Sequence, residues 1–197
     1  MNWDLEAITK INMNCTSCKK RVCRNGDACK ATVFDTNKIM QGYSNNLDIV
    51  KAAAKLVDGG RAGTLSRLQE IIEFSKTMNY QKIGLAYCYG MEEETKLLAG
   101  ILKAEGLKPI PVSCTVGGIT QDSINPDSNI ANVSCNPIGQ AAQLNNSGAN
   151  LVVTIGLCLG HDILFNKNIK TNTTTLVVKD RVHNHSPLAG LAGTTRK

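Results

Sequence analysis

The chain has 197 residues, of which 42% are hydrophobic and 19% charged, and its formal net charge is +6. This length and composition suit a globular protein whose core needs no disulfide bonds for stability. Only eight residues are aromatic (one Trp, four Tyr and three Phe), and no known nucleic-acid-binding motif is present. The positive charge therefore indicates a mildly basic surface, and we expect no nucleic-acid partner.

The distribution of apolar residues argues against a membrane protein. No basic segment followed by an apolar run resembles a secretory leader, and no apolar stretch approaches the length that spans a bilayer. We therefore expect a cytoplasmic protein that has no membrane partner. Eight cysteines in a reducing compartment favour metal binding or thiol chemistry over a disulfide framework.

The first distinctive segment is rich in cysteine. Its pattern is C-x2-C-x4-C-x5-C, formed by Cys15, Cys18, Cys23 and Cys29. Turn-forming residues separate these cysteines, so four thiolates could surround one metal centre without help from the rest of the fold. We predict a cysteine-rich metal-binding segment over residues 1–44, followed by a second domain over residues 45–197.

Two kinds of metal centre suit this segment. Structural zinc usually uses two ligand pairs that are far apart in sequence, whereas four closely spaced cysteines also suit a cubane cluster. The local charge of +4 would offset the negative charge of either centre. The spacing resembles the cubane-binding loop of carbon monoxide dehydrogenases. This resemblance favours an iron-sulfur cluster of the 4Fe-4S type, with zinc as the alternative and four unliganded thiols as the remaining interpretation.

Two helices are expected next. Residues 47–58 combine helix formers with apolar residues at helical spacing, and Gly59 and Gly60 end this helix. A second helix is predicted over residues 64–78, where the apolar residues make one face. We assign no chemistry to either helix and expect both to contribute packing alone.

An alternation of strands and helices then begins. Strands are predicted over residues 82–88 and 107–114, with a helix over residues 92–104 between them. Pro109 and Pro111 each remove a backbone N–H donor from the second strand. We therefore expect that strand at an edge of the sheet.

The second half of the chain continues this alternation. Residues 115–136 are rich in Gly, Asn, Asp and Ser and are predicted to form a long loop, which a helix over residues 137–145 follows. Residues 151–158 are almost entirely apolar and are predicted to form a strand buried on both faces. A short helix from His161 and a last strand over residues 174–178 complete the pattern.

This order of elements predicts an α/β fold, a three-layer sandwich with a mostly parallel sheet of Rossmann or flavodoxin-like character. The carboxyl ends of parallel strands lie at one edge, where ligands bind. Three predicted strands end in cysteine, and a fourth cysteine precedes a helix on the same side. We call these four residues the rim: Cys88, Cys114, Cys135 and Cys158. Buried cysteine is also common as a small apolar residue, so each could serve packing alone.

The rim could hold a second metal ion or cluster. Its thiolates would select iron-sulfur, zinc or copper(I) over hard cations, and His161 or His185 could replace a thiol that lies too far away. Two centres in one chain would suit electron transfer with a redox partner, or reductive chemistry on a small-molecule ligand. No P-loop and no G-x-G-x-x-G follows a predicted strand, so neither nucleotide nor NAD is expected.

A second use of the rim makes Cys158 a catalytic thiol. It lies just before a predicted helix, where the helix dipole favours a thiolate, and His161 follows three residues later. Backbone N–H groups at that helix start could bind an anion or a developing oxyanion. This interpretation pairs a zinc-binding N-terminal segment with a thiol-dependent hydrolase or transferase.

Two further interpretations stay open. The pattern G-x-C-x-G around Cys158 fits a nucleophile elbow with Cys in place of Ser, and Asp180 and then His183 or His185 follow in the order of an α/β-hydrolase. That interpretation leaves the other three rim cysteines unexplained. The alternative is a non-catalytic module that senses or stores a metal.

Several segments carry a resemblance to a known family. They are Gly117-Gly118, Cys135-Asn136-Pro137-Ile138, Gly156 to Asp162, Leu164-Phe165 and Val178 to Val182. With the eight cysteines, they make the chain similar to the DUF1847 family of bacteria and archaea, from the Cys15 loop to about Pro187. The resemblance implies a predicted metal-binding protein and carries no established activity. Where family members resemble V-L-G-H, this chain has an additional histidine, His183, which we do not expect to be a ligand.

Overall fold

The computed structural model describes residues 14–29, 32–130 and 132–194, and the chain divides into two compact units after Val50. The first unit contains the cysteine-rich segment and helix α1 (Thr36–Ser44), whose first turn is capped by the side chain of Asp35. Helix α2 (Leu47–Ala54) runs across the division. No helix is predicted where α1 lies, and the predicted boundary after residue 44 stays a prediction.

The second unit alternates helices and strands. In chain order it contains α3 (Arg67–Thr77), β1 (Lys82–Tyr87), α4 (Glu92–Ala104), β2 (Lys108–Ser113), the short α5 (Gln121–Ile124), α6 (Pro137–Asn145), β3 (Leu151–Ile155), α7 (Leu159–Asn168), β4 (Thr173–Val177) and α8 (Pro187–Thr194). Within the described ranges, no helix is long and apolar enough to cross a bilayer.

The four strands form one parallel sheet with the order β2-β1-β3-β4. This confirms the predicted α/β class. Strand β2 lies at an edge, as its two prolines require, because a central strand would need the backbone donors that proline lacks. The strand order is that of the first four strands of the flavodoxin-like fold, whose topological switch point lies between β1 and β3.

Helices cover both faces of the sheet, which confirms the three layers. Alternate residues of a strand point to opposite faces. Leu85 and Val153 pack on the face that also buries residues of α3 and α4. Ala86 and Val152 pack on the opposite face, with residues of α6 and α7. All five residues of β3 are buried, as expected for a central strand of a parallel sheet.

Two of the predicted elements, α3 and β3, differ from the structure at their ends. Helix α3 begins at Arg67 because Ser66 and Gln69 form a capping box: each side chain bonds the backbone N–H of the other residue. Strand β3 ends at Ile155, three residues earlier than predicted, because Gly156 has a φ of +60° and turns the chain. Cys158 is therefore the N-cap residue of α7 and does not belong to the strand.

Replacing Gly156 with alanine should destabilise the fold. The new Cβ would lie 2.8 Å from Met91 Cγ, and the left-handed backbone disfavours a side chain. We expect the free energy of unfolding to fall by about 1–3 kcal/mol, measured by urea denaturation at an unchanged m-value.

The matched control for this substitution is Gly100→Ala, because Gly100 lies within α4 and a Cβ there meets nothing within 4 Å. This change should raise stability by about 0.5–1 kcal/mol, since alanine favours the helix. Equal stabilities of the two variants would contradict the role assigned to the Gly156 turn.

Candidate cysteine-lined functional site

The sheet itself positions two of the rim cysteines. Tyr87 pairs with Ser113 of β2 and with Ile155 of β3, so the three strands reach the same level. Cys88 follows β1 directly, and its N–H donates to Ile155 O at 3.1 Å. Cys114 follows β2, and its N–H donates to Tyr87 O at 2.9 Å. The two thiols therefore project from equivalent positions on neighbouring strands.

Cys158 lies on the far side of the switch point. It precedes α7, and its thiol does not cap that helix. Arg181 Nη2 donates to Cys158 Sγ at 3.2 Å, and this contact raises the pKa of the guanidinium. Because ligands of parallel α/β folds bind in the crevice at the switch point, Cys88 and Cys158 flank the expected binding position.

Cys135 reaches the rim through the long connection between β2 and α6. An isolated antiparallel bridge joins Thr120 to Val133 within this connection. Asn136 N–H then donates to Cys114 O at 2.6 Å, which holds the two backbones together. As a result, the Sγ atoms of Cys114 and Cys135 lie 3.4 Å apart.

Gln140 fixes helix α6 beneath the rim. Its side chain is fully buried, and its Nε2 donates to Tyr87 O at 3.0 Å and to Val112 O at 2.7 Å. Its Oε1 is buried and has no hydrogen-bond partner among the described residues. Asn136 adds a helix cap, because its Oδ1 accepts the N–H of Gly139. These contacts tie the start of α6 to the ends of β1 and β2.

The close thiols share protons unequally. A hydrogen bond from Cys114 lowers the pKa of Cys88 to about 5, against the opposing effect of burial, and the Gly90 N–H and Lys179 add to the lowering. The same hydrogen bond, together with burial, raises the pKa of Cys114. Burial is also the main cause that raises the pKa of Cys135. Ionisation of this coupled pair is therefore favoured at Cys88 over Cys114.

A tight turn after β4 positions Arg181, the cation that contacts Cys158. Asp180 Oδ1 accepts the N–H groups of Val182 and His183, each at 3.0 Å, and these bonds lower the pKa of the carboxyl group. His185 Nδ1 accepts the Asp180 N–H at 3.2 Å, and the His185 N–H donates to Asp180 O at 2.8 Å. The turn thereby fixes Arg181 next to Cys158.

Two of the candidate histidines, His183 and His185, take part in the Asp180 turn. His183 Nδ1 pairs with Asp180 Oδ2 at 3.1 Å, and His185 closes the same turn. His161 is half-buried in the first turn of α7. Among the described residues, the polar side-chain contact of Cys158 Sγ is with Arg181, and no hydrogen bond joins it to an imidazole. The catalytic role of Cys158 and His161 stays a prediction.

The N-terminal cysteines lie on a chain of short turns. Cys18 N–H donates to Cys15 O at 3.4 Å, and Arg21 N–H donates to Cys18 Sγ at the same distance. Cys23 lies in a 3-10 helix, and Gly26, with a φ of +91°, ends it. Three of the four thiols are exposed, and Cys29 is half-buried with its Sγ 3.8 Å from Thr32 Oγ1.

The chemistry of the thiols suits a metal centre better than their present positions do. Thiolates are soft ligands, and N–H groups and cations near sulfur suit a negatively charged centre. Within the described ranges, however, no three Cys, His, Asp or Glu side chains are grouped around one point as metal ligands. Metal binding at either place would therefore require side-chain rotations that bring at least three ligands around one point.

The fold and the site define a parallel α/β protein with a cysteine-lined edge at the switch point of its sheet. The chain belongs to the family described as Protein of unknown function (DUF1847), which matches residues 25–176, as the resemblance implied. It is also 44% identical over 181 residues to the uncharacterised protein MJ0455 of Methanocaldococcus jannaschii, an alignment that covers 88% of this chain and 91% of that protein. No solved structure matches the chain.

Ionisation of Cys88 should be visible in a pH titration of the reduced, metal-free protein. The folded pKa of about 5 lies below the ordinary value of 9.0, so this ionisation stabilises the folded state. Its contribution is complete above the ordinary pKa and is lost as the pH falls through about 5. We expect ultraviolet thiolate absorbance at neutral pH that disappears with a midpoint near pH 5.

Cys88→Ser should remove this titration step. Cys135→Ser is the matched control and should keep it, because the pKa of Cys135 is raised and its thiol is protonated at neutral pH. An unchanged neutral-pH thiolate signal in Cys88→Ser would contradict the assignment.

Proposed function

We propose that the protein binds soft metal centres through thiolates at two places. The N-terminal segment would bind an iron-sulfur cluster of the 4Fe-4S type through Cys15, Cys18, Cys23 and Cys29, with zinc as the alternative. The rim would bind a second metal ion or cluster. The single observation that carries the proposal is the convergence of thiols and cations at the switch point of the sheet, where parallel α/β proteins bind ligands.

The charge balance at the rim supports this proposal. Four thiolates around a divalent ion leave a net charge of about −2, which needs nearby positive charge. Lys179 acts electrostatically on Cys88, and Arg181 contacts Cys158. The pKa of Cys88 already favours its thiolate, the form that metals bind.

The N-terminal segment supports the first centre through its own geometry. The turn between Cys15 and Cys18 brings two cysteines together, and the N–H group directed at Cys18 Sγ is the kind of contact that stabilises a ligated sulfur. Exposure of Cys15, Cys18 and Cys23 leaves their thiols accessible to an incoming metal. Close spacing of all four in sequence favours a cluster over zinc.

A second candidate function is thiol-dependent catalysis by Cys158. The contact with Arg181 favours it, because a cation lies directly against a half-buried thiol at the start of α7. His161 in the first turn of that helix would then serve as the acid or base.

Metal analysis of anaerobically purified protein tests the proposal. We expect brown protein with visible absorption and roughly four irons per cluster. Cys18→Ser should lose the metal of the N-terminal segment and keep that of the rim, whereas Cys114→Ser should do the reverse. Ser17→Ala is the matched control in the N-terminal segment, because it changes a neighbouring side chain that is not a thiol.

Three outcomes would count against parts of this proposal. One zinc per chain without iron would contradict the cluster. Unchanged metal content in Cys114→Ser would confine metal binding to the N-terminal segment. Full metal retention in Cys158→Ala, together with loss of the main site at which limiting iodoacetamide alkylates the protein, would favour catalysis by Cys158.

A further inference from the structure

We propose that Cys114 and Cys135 form a redox-active dithiol that exchanges with small anionic disulfides. This activity goes beyond metal binding and does not depend on it. The geometry that carries it is the 3.4 Å separation of the two Sγ atoms, which places them at van der Waals contact or closer. A disulfide bond has a length of about 2.05 Å, so the remaining approach is about 1.4 Å.

The backbone prepares this pair for bond formation. Asn136 N–H donates to Cys114 O at 2.6 Å, and the N–H of Ser134 donates to Ile119 O at 2.8 Å. Cys135 is therefore held between two anchored neighbours and beside the end of β2. Because the backbones are already adjacent, side-chain rotation supplies most of the motion that a disulfide needs.

The two thiols differ in access in the way that an exchange reaction requires. Cys114 is 2% exposed, whereas Cys135 is half-buried. An external disulfide can therefore reach Cys135, and Cys114 is hidden within contact distance of it. Cys135 is assigned the attacking thiol and Cys114 the resolving thiol, since thiol-disulfide exchange proceeds through a mixed disulfide that a second thiol resolves.

The cations of the rim indicate the class of disulfide. Arg181 acts electrostatically on Cys135 while it donates to Cys158, and its side chain lies at the surface. Lys179 adds a second positive charge near Cys88. A disulfide whose substituents carry carboxylates would be attracted by these charges, and a departing thiolate would be stabilised by them.

The exchange of these two thiols with a small disulfide needs no metal. Cys135 loses its proton as its sulfur attacks one sulfur of the disulfide, whose S–S bond breaks, and the departing sulfur takes up that proton. The Cys114 thiol then loses its proton to the second leaving group as its sulfur attacks Cys135 Sγ. Two protein thiols are oxidised by two electrons in total, and the small disulfide is reduced to two thiols.

The decisive experiment traps the mixed disulfide. The full chain, both as purified and after treatment with a chelator, is reduced, freed of reductant, incubated with oxidised glutathione under anaerobic conditions, alkylated and mapped by mass spectrometry. We expect a cross-link between Cys114 and Cys135. Cys114→Ala should accumulate glutathione on Cys135, whereas Cys135→Ala should leave Cys114 unmodified.

The charge of the disulfide gives an independent readout. Arg181→Ala should slow the reaction with oxidised glutathione about tenfold and leave the reaction with the cationic disulfide cystamine unchanged or faster. Lys167→Ala is the matched control, because Lys167 is an exposed cation in the last turn of α7, at the end opposite Cys158. It should react at the original rate with both disulfides.

Several results would overturn the proposal. These are a cross-link that joins Cys88 to Cys114, oxidation confined to the N-terminal cysteines, or no cross-link in either preparation. Metal content, measured on the same samples, separates this proposal from the preceding one. Protein that contains no metal as purified and forms the cross-link contradicts only metal binding. Protein that contains metal as purified and forms no cross-link before or after chelation contradicts only the dithiol.

Discussion

The rim depends on the register of the parallel sheet. Hydrogen bonds align Tyr87 with both Ser113 and Ile155, so the ends of β1, β2 and β3 are level before any side chain is considered. Gln140 reinforces this alignment, because one amide group donates to the carbonyl of Tyr87, the last residue of β1, and to that of Val112, the next-to-last residue of β2. Thiols that directly follow such strands are brought together by backbone geometry, without the entropy cost of ordering long loops.

That convergence imposes an electrostatic constraint. Thiolates packed at a buried sheet edge repel each other and lose solvation, so they cannot all be ionised at once. The contacts at the rim favour ionisation of Cys88, whose pKa is lowered by the Cys114 thiol, by the Gly90 N–H and by Lys179. Arg181 supplies the second positive charge, and the Asp180 turn holds it in place through short-range hydrogen bonds.

Much of the fold could be predicted because it depends on local patterns. Helices α4 and α6 have the predicted bounds, and the prolines of β2 correctly indicated an edge strand. The rim required one further rule, that parallel strands end at the same edge. The sequence wrongly predicts that Cys158 belongs to strand β3. Apolar residues continue past Ile155, and the left-handed turn at Gly156 ends the strand.

Other features of the site depend on contacts between residues distant in sequence. Gln140 was missed, because a polar residue on a helix gives no sign that it will bond two strand ends more than 25 residues away. Arg181 is not predicted for the same reason, although Gly156 to Asp162 and the segment around Arg181 both carry the family resemblance. Its contact with Cys158 depends on β3 and β4 being neighbours.

The distance between the Cys114 and Cys135 Sγ atoms is compatible with both proposed uses of the rim. Tetrahedral zinc with Zn–S bonds of 2.3 Å separates its sulfurs by about 3.8 Å, whereas a disulfide brings them to about 2.05 Å. The Cys114 and Cys135 Sγ atoms lie between these values, at 3.4 Å. A small outward movement suits a shared soft metal, and an inward one suits a covalent bond. Each outcome also reduces the electrostatic repulsion between neighbouring thiolates, because a bound metal neutralises their charge and oxidation removes two ionisable groups. The backbone therefore sets the position of the thiols, and the arriving reactant, a soft cation or a disulfide, determines their chemistry.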